Sequence, residues 1–322
     1  MRFLITGANG FVGKPLCAEL LRQGHSVRAA LRSANTPVED VEVVVTGAID
    51  GGTDWTDALR GVDVVIHLAA RVHVMKETAA DPLAEFLKVN LHGTANLARQ
   101  AARAGVKRLV YVSSIKVNGE RTTESRPFVE SDEPDPQDAY GMSKWQAEQT
   151  LQRIAQETGL QVVIVRPPLV YGPGVKGNFA QMLKVLGAGI PLPLASVHNL
   201  RSLVYVGNLV DALIVCATHP AAAGQTYLVS DDEAVSTPDL LRLLGNMMGH
   251  LAHLFSCPPA LLKLAGRLTG KAEQVERLLD SLRVDSGRIC RELDWTPPRT
   301  LQQGLQATAE WYRDAYFDAQ HR

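Results

Sequence analysis

The sequence predicts an α/β protein, in which a doubly wound parallel sheet is followed by a smaller mixed α/β lobe. Short apolar runs alternate with helix-length segments through the first two-thirds of the chain. Most of these runs are apolar almost throughout, which is typical of strands buried on both faces of a sheet. Repeated strand–helix–strand units of this kind predict parallel strands joined by helical crossovers.

The elements of the predicted sheet follow one another in a regular order. Six strands are predicted, at Phe3–Thr6, Ser26–Leu31, Val41–Val45, Val62–Leu68, Arg108–Val112 and Val162–Arg166. Three long helices are predicted between them, at Lys14–Gln23, Phe86–Arg103 and Tyr140–Thr158. Gly24 and Gly105 stand where helix C-terminal caps belong, just before the next strand.

After about residue 170 the pattern becomes irregular, since glycine and proline cluster at residues 172–174 and 187–193. Short elements are predicted there, at Leu203–Val206, Gln225–Val229, Thr237–Met248 and Leu301–Ala315. We therefore expect one domain over residues 1–170 and a second lobe over residues 171–322, intertwined with the first rather than joined to it by a linker.

The bulk composition predicts a soluble globular protein. The 322 residues include 34 acidic and 33 basic side chains without a charged block, so no nucleic-acid partner is expected. Four cysteines are scattered without paired spacing, so neither a disulfide framework nor a metal site is expected. Together with the absence of a basic-then-apolar leader, this composition predicts a cytoplasmic location.

The most apolar late stretch, Leu251–Leu268, is interrupted by charged residues and prolines. A membrane-spanning helix needs about 20 predominantly apolar residues. We expect an amphipathic surface or core helix here and no integral membrane segment.

Three glycines follow the first predicted strand and open the first helix, at Gly7, Gly10 and Gly13. Glycine permits a tight turn and lets a pyrophosphate approach the N–H groups and positive dipole of a helix N-terminus. This context predicts a dinucleotide cofactor, held by Gly7, Asn9, Gly10, Phe11, Val12 and Gly13. The fourth predicted strand leads into Leu68-Ala69-Ala70. The small alanine side chains would let the cofactor pass close to the backbone.

The end of the second strand bears on the choice of cofactor. It reads Leu31-Arg32-Ser33, without the acidic residue that binds the adenosine ribose of NAD. Arg32 is suited to a 2′-phosphate, so NADP(H) is favoured and NAD(H) stays open. The alternative is an ordinary solvated arginine.

The motifs together resemble the extended short-chain dehydrogenase/reductases, in particular the NAD-dependent epimerase/dehydratase group that acts on nucleotide sugars. The similarity covers nearly the whole chain and implies a Rossmann-type fold. Its carriers are Gly7-x-x-Gly10-x-x-Gly13, Asp63–Ala70, Asn90, Ser113-Ser114, Tyr140-x-x-x-Lys144, Arg166-Pro167 and Tyr171-Gly172-Pro173.

The resemblance implies catalytic roles for Ser114, Tyr140, Lys144 and Asn90. Tyr140 and Lys144 lie four apart on a helix and share a face. A free phenol has a pKa of about 10, and a nearby ammonium or oxidised nicotinamide favours its ionised form. Tyr140 is therefore expected to be the acid and base, with its pKa lowered by Lys144.

The remaining implied roles surround this pair. Lys144 is expected to hold the nicotinamide ribose, Ser114 the reacting oxygen, and Asn90 the active-site helix. Tyr140 and Ser114 are thereby expected to touch substrate as well. Ile49 and Pro167 complete the expected cofactor contacts.

One departure separates this chain from the dehydratases that the resemblance includes. Those members carry an Asp-Glu pair directly after the active-site hydroxyl residue, as the acid and base for removing water. This chain has Ile115 and Lys116 there. A 4,6-dehydratase is therefore not expected.

The resemblance also implies a substrate diphosphate site. Asn178 and Arg201 match family positions that contact this group, and Arg277 is a further candidate. The guanidinium fork of arginine binds two phosphate oxygens at once. A UDP-linked sugar is the expected substrate.

The favoured interpretation is a reductase acting at carbon 4 of a UDP-linked 4-keto-6-deoxy-N-acetylamino sugar, of the UDP-N-acetylquinovosamine type, in surface polysaccharide biosynthesis. The first alternative is a UDP-sugar 4-epimerase of the UDP-glucose or UDP-GlcNAc type with tightly bound NAD. A small-carbonyl reductase and a non-catalytic cofactor-sensing regulator are further alternatives. By resemblance, a homodimer is expected to form through Leu91–Arg103 and Tyr140–Thr158.

Overall fold

A computed structural model of the protein describes residues 1–34, 38–72, 81–123, 126–270 and 272–320. Its centre is a seven-stranded sheet in the order β3-β2-β1-β4-β5-β6-β9, and every pairing in it is parallel. Strands β7 and β8 form a separate parallel pair. The predicted doubly wound parallel sheet is confirmed.

The strands and helices have the following bounds. The strands are β1 Arg2–Thr6, β2 Ser26–Leu31, β3 Glu42–Val45, β4 Val64–His67, β5 Arg108–Val112, β6 Gln161–Arg166, β7 Leu169–Tyr171, β8 Leu203–Tyr205 and β9 Thr226–Leu228. The helices are α1 Gly13–Arg22, α2 Thr56–Leu59, α3 Pro82–Leu87, α4 Thr94–Arg103, α5 Ala139–Thr158, α6 Gly177–Gly187, α7 Val206–Thr218, α8 Thr237–Met248, α9 Pro259–Leu268, α10 Ala272–Leu279, α11 Gly287–Leu293 and α12 Leu301–Gln320. Short 3₁₀ turns occupy Ile115–Val117 and Pro220–Ala222.

The side chains of β1 show how the sheet forms two layers of core. Phe3 and Ile5 are fully buried on one face, in a cluster with α1 and α7. Leu4 points the other way, into a cluster with α4 and α5. Both faces of the strand are covered, which is why its sequence is apolar without alternation.

The strand order reverses between β1 and β4, which lie side by side at the middle of the sheet. Strands β2 and β3 extend from β1 on one side, and β5, β6 and β9 extend from β4 on the other. In sheets of this kind ligands bind where the strand order reverses, outside the carboxyl ends of the strands. That edge carries Thr6 and His67, which are paired in register.

The predicted helix Phe86–Arg103 is interrupted by a π-helical segment. Lys88–Gly93 adopts π geometry between α3 and α4, and single π turns of this kind occur often at functional sites. Gly93 faces Ile49 so closely that a Cβ there would lie 2.6 Å from Ile49 Cγ2. The wider turn brings the buried amide of Asn90 onto the active-site side.

The late apolar stretch forms a shorter helix than predicted. Helix α9 begins at Pro259, since Pro258 and Pro259 stop a helix from extending toward Leu251. Helix α7 was not predicted at all. It is buried on most sides between the sheet and the second lobe, so its sequence lacks an amphipathic period.

The second lobe has its own core but contributes to the large sheet. Strand β9 pairs with β6, so a segment beyond residue 170 completes the edge of the first domain. The lobe itself packs α6, α8 and α12 around β7 and β8, with Phe179, Leu183, Leu203, Leu244 and Leu305 buried among them. Among the described residues no helix is long and apolar enough to cross a membrane.

A buried ion pair fastens α5 to the sheet. Arg166, at the end of β6, donates from Nε to Glu148 Oε1 at 3.0 Å and from Nη2 to Glu148 Oε2 at 2.5 Å. Its Nη1 donates to Asn118 Oδ1 at 2.9 Å. The two charged side chains are 5% and 0% exposed, so neither has water to replace its partner.

We expect Arg166→Met to lower the free energy of unfolding by about 3–5 kcal/mol, because it leaves the Glu148 carboxylate buried without its partner. Urea unfolding measures this. The matched control is Arg242→Met, whose ion pair with Asp239 is 51% and 60% exposed. It should change stability by less than about 1 kcal/mol. Equal effects of the two substitutions would contradict the role of the buried pair.

Candidate active site

The glycine turn after β1 is closed too tightly for side chains. Gly7 has a φ of +69°, and a Cβ there would lie 3.0 Å from the backbone nitrogen of Ala69. A Cβ on Gly13 would lie 2.2 Å from the carbonyl oxygen of Gly7. The amide of Gly10 closes the turn by donating to the same carbonyl at 2.9 Å. These contacts let the ends of β1 and β4 meet beside the start of α1.

The start of α1 is built to receive an anion. Its N-cap, Val12, provides no side-chain hydrogen bond to the first turn, and that turn contains no acidic residue. Lys14 adds a positive charge to it. First-turn N–H groups and the helix dipole attract phosphate, so the residues present fit the pyrophosphate of a dinucleotide.

The other predicted cofactor residues lie at this edge or near it. Ala69 follows β4 and donates its N–H to Thr6 Oγ1 at 3.1 Å, which keeps the Leu68–Ala70 backbone beside Gly7. Pro167 is buried and its carbonyl accepts from the Ile115 N–H at 3.0 Å. Ile49 packs against the π segment, and Arg32 is exposed just after β2. Their contacts with a cofactor stay predictions.

Helix α5 carries a polar stripe into the protein at four-residue spacing, formed by Tyr140, Lys144 and Glu148. Asp138 caps the helix, since its Oδ1 accepts from the Gly141 N–H at 2.7 Å. Side chains spaced by four share one face of a helix. The Glu148–Arg166 pair fixes the far end of this stripe, so the reactive end faces the carboxyl edge of the sheet.

Lys144 is buried behind the reactive end. Its Nζ donates to the Val112 carbonyl at 2.8 Å, and it lies 4.6 Å from the centre of the Tyr111 ring and 5.9 Å from that of Tyr140. Burial lowers the pKa of Lys144 from 10.5 to about 7, while Glu148 acts in the opposite direction. The amine therefore titrates near neutrality.

The pKa of Tyr140 is raised, whereas the sequence predicted that Lys144 would lower it. Burial raises it above its ordinary value, the charge of Asp138 raises it further, and a side-chain hydrogen bond with Ser114 lowers it. Lys144 was expected to make the phenol acidic, but burial acts against both charges and favours a neutral phenol beside a neutral amine. The positive charge of an oxidised nicotinamide would favour the phenolate here.

Asn90 joins the loop after β4 to α5. Its Nδ2 donates to Ser143 Oγ at 2.9 Å and to the Arg71 carbonyl at 3.0 Å. Its Oδ1 accepts from the Arg71 N–H at 2.8 Å. The amide therefore holds Ser143, the residue next to Lys144, and the catalytic role of Asn90 stays a prediction.

Lys116 forms a charged cluster that was not predicted as part of the site. Its Nζ donates to Glu120 Oε1 at 2.9 Å and also to Asp138 Oδ2. The ion pair between Lys116 and Asp138 joins the turn that follows Ser114 to the cap of the helix that carries Tyr140. The contact of Lys116 with Asp138 spans 22 positions, so no local sequence pattern indicates it.

A second unpredicted group stands behind the glycine turn. His67 Nδ1 lies 2.7 Å from Thr6 Oγ1, and His67 Nε2 lies 3.0 Å from Thr94 Oγ1. Burial, together with the charge of Lys144, lowers the pKa of His67 to about 3. The ring is thus neutral and ties β1, β4 and α4 together by hydrogen bonds.

Two of the predicted substrate residues are near each other. Arg201 donates from Nη1 to the Arg277 carbonyl at 2.8 Å and to the Asp280 carbonyl at 3.1 Å. Burial lowers the pKa of the Arg201 guanidinium, the charge of Asp280 raises it, and the charge of Arg277 lowers it. Asn178 lies exposed in the first turn of α6, which has no side-chain cap.

The family described as the NAD dependent epimerase/dehydratase family matches residues 3–230. The chain belongs to this family. A Vibrio cholerae protein named UDP-glucose 4-epimerase is 43% identical over 314 residues, which cover 97% of this chain and 95% of that protein. The family assignment confirms the resemblance, and the protein is an NAD-dependent nucleotide-sugar enzyme of the epimerase/dehydratase type with a nicotinamide cofactor.

Solved structures of family members show the same fold. A UDP-glucose 4-epimerase from Thermotoga maritima, solved with UDP-glucose, has a TM-score of 0.78 at 22% identity and covers 98% of this chain and 100% of its own. MoeE5 in complex with UDP-glucuronic acid and NAD has a TM-score of 0.78 at 25% identity, with the same coverage. The epimerase/dehydratase fold therefore extends through both lobes.

We expect Lys144→Met to stabilise the cofactor-free protein at low pH and not at high pH. Folding lowers the pKa of this amine from 10.5 to about 7, so below neutrality a charge must be kept buried. The free-energy cost of burying this charge is on the order of a few kcal/mol, and it decreases as the pH rises from about 7 toward 10.5. Thermal unfolding of wild type and variant across this window measures it, and a gain independent of pH would contradict it.

We expect Lys116→Met to move the acid limb of the kcat/KM profile to higher pH, because the negative charge of Asp138 then acts on Tyr140 without a counter-charge. Asp138→Asn should move the limb to lower pH, since asparagine also caps a helix but carries no charge. The double variant should behave like Asp138→Asn, and Lys116→Arg should resemble wild type. A purely structural role would lower activity without moving the limb.

Proposed function

We propose that the protein interconverts UDP-hexoses that differ at carbon 4, as a UDP-sugar 4-epimerase. The observation that carries the proposal is the placement of Ser114, Tyr140 and Lys144 at the cofactor edge, without acidic residues at positions 115 and 116. Such a site suits hydride and proton exchange and lacks the groups for removing water. The Vibrio cholerae relative, which is named UDP-glucose 4-epimerase, supports this choice.

The residues at the carboxyl edge of the sheet would hold NAD, which would supply reversible hydride exchange at carbon 4 of the sugar. The Tyr140 phenolate takes the proton of the 4-hydroxyl as the carbon–oxygen double bond forms, and gives it back when the opposite face is reduced. The Ser114 hydroxyl, which is hydrogen-bonded to Tyr140, holds the same sugar oxygen. Lys144 stays behind the phenol and holds the nicotinamide ribose.

The diphosphate of the substrate is proposed to bind at Arg201 and Arg277. The carbonyls of Arg277 and Asp280 fix the Arg201 guanidinium near a second positive charge. The charge of Asp280 partly offsets the charges of the two arginines, and each guanidinium fork can bind two oxygens of a diphosphate. Asn178, at the uncapped start of α6, is proposed to donate to the same group.

The second candidate is reduction of a UDP-linked 4-keto-6-deoxy-N-acetylamino sugar. It is favoured by Arg32, which stands exposed at the end of β2 where an acid would select NAD. A reductase of this kind consumes NADPH, whereas an epimerase keeps its cofactor. The family dimer, through α4 and α5, is proposed for both candidates.

Two assays on the same preparation separate these functions. The first follows interconversion of UDP-glucose with UDP-galactose, and of UDP-GlcNAc with UDP-GalNAc, without added cofactor. The second follows loss of NADPH with a UDP-4-keto-6-deoxy sugar. Interconversion with co-purified NAD supports the epimerase. Stoichiometric NADPH consumption without interconversion contradicts it and establishes the reductase.

We expect Tyr140→Phe to lower kcat by about 100-fold or more, because phenylalanine keeps the ring but has no proton to exchange. Cofactor affinity, measured by nicotinamide fluorescence, should change little. A suitable control is Tyr205→Phe, a tyrosine of the second lobe that is outside the proposed site. Retained turnover in Tyr140→Phe would show that another group moves the proton.

A further inference from the structure

Helix α9 has two apolar sides, and within the described part of the chain only one of them is covered by protein. Leu262 packs into the core of the second lobe, and Gly266 sits so close to α10 that a Cβ there would lie 2.9 Å from Val275 Cγ2. Leu261, Leu264 and Leu268 form a stripe at i, i+3 and i+7 on another side. They are 56%, 53% and 79% exposed.

Two further large apolar side chains are exposed in the segment leading into α9. Leu251 and Phe255 are 73% and 51% exposed. Single exposed apolar side chains are ordinary on protein surfaces, whereas a cluster of large ones marks a contact site. We call these five side chains, Leu251, Phe255, Leu261, Leu264 and Leu268, the α9 patch.

The charged side chains between His250 and Gly270 are of one sign. Lys263 and Arg267 are exposed on α9, four residues apart, beside the leucine stripe. From His250 to Gly270 the sequence contains no aspartate or glutamate, although acids and bases are almost equal in number in the whole chain. Exposed leucines flanked by basic side chains are the pattern of a helix that lies in a bilayer interface.

We propose that the α9 patch docks the protein peripherally onto a bilayer with anionic headgroups. The leucines enter the boundary between headgroups and acyl chains, while Lys263 and Arg267 meet the headgroup charge. A second copy docked through the same stripe would bring basic groups together, with no acid on the stripe to pair with them. The anionic bilayer supplies the opposite charge.

Docking would place the proposed diphosphate site close to the membrane. Helix α9 packs on α10, and the carbonyls of Arg277 and Asp280, at the end of α10, fix the Arg201 guanidinium. The docking surface and the arginine pair are therefore joined by one short helix. The proposal goes beyond epimerisation and does not depend on it.

Flotation of the purified full chain with lipid vesicles tests the proposal. We expect the protein to float with vesicles of phosphatidylglycerol and phosphatidylcholine, and much less with phosphatidylcholine alone. The double substitution Leu264→Gln and Leu268→Gln should lower the partition coefficient by at least about tenfold. The double substitution Lys263→Gln and Arg267→Gln should weaken binding mainly to the anionic vesicles.

The matched control is Val45→Gln, at an apolar side chain in β3 that is 54% exposed, like Leu264, but lies at the edge of the large sheet. It should float like wild type. A thermal unfolding transition like that of wild type shows that the leucine variant is folded, and this control does not depend on the proposed reaction.

Three results would overturn the proposal. Wild-type protein could stay unbound to anionic vesicles, or the leucine variant could float as well as wild type. The third result is a change of sedimentation coefficient in the leucine variant without vesicles, which would assign the α9 patch to a second copy of the chain.

Discussion

The buried ion pair between Glu148 and Arg166 is the constraint on which the active site depends. The pairing offsets the cost of removing both charges from water, so α5 can present a polar face to the interior. With the far end of the helix fixed to β6, Lys144 reaches the Val112 carbonyl on β5 and Tyr140 reaches Ser114. The position of each reactive group follows from this attachment.

The same burial that fixes the reactive groups also disfavours their charged forms. The pKa of Lys144 falls and that of Tyr140 rises, so the protein alone does not prepare a phenolate. In the proposed reaction, proton transfer would therefore depend on the positive charge of an oxidised nicotinamide. Lys116 moderates this coupling, because it pairs with the Asp138 carboxylate that would raise the pKa of Tyr140 further.

Features fixed by local chemistry could be predicted from the sequence. The glycine turn at Gly7 and the spacing of Tyr140 and Lys144 are such features, because each depends on a few neighbouring residues. Features that depend on tertiary packing could not. Lys116 meets Asp138 only after folding, α7 is apolar on most sides and gives no period, and the direction of the Tyr140 pKa shift follows from burial.

The most direct test of the account is the fate of deuterium placed at carbon 4 of UDP-glucose. If Tyr140 moves a proton while the cofactor carries the hydride, UDP-galactose formed in ordinary water should keep the deuterium at carbon 4. Mass spectrometry and proton NMR of the product measure it. Loss of the deuterium to solvent would contradict hydride exchange at this site, and no UDP-galactose at all from cofactor-loaded protein would contradict epimerisation of UDP-glucose.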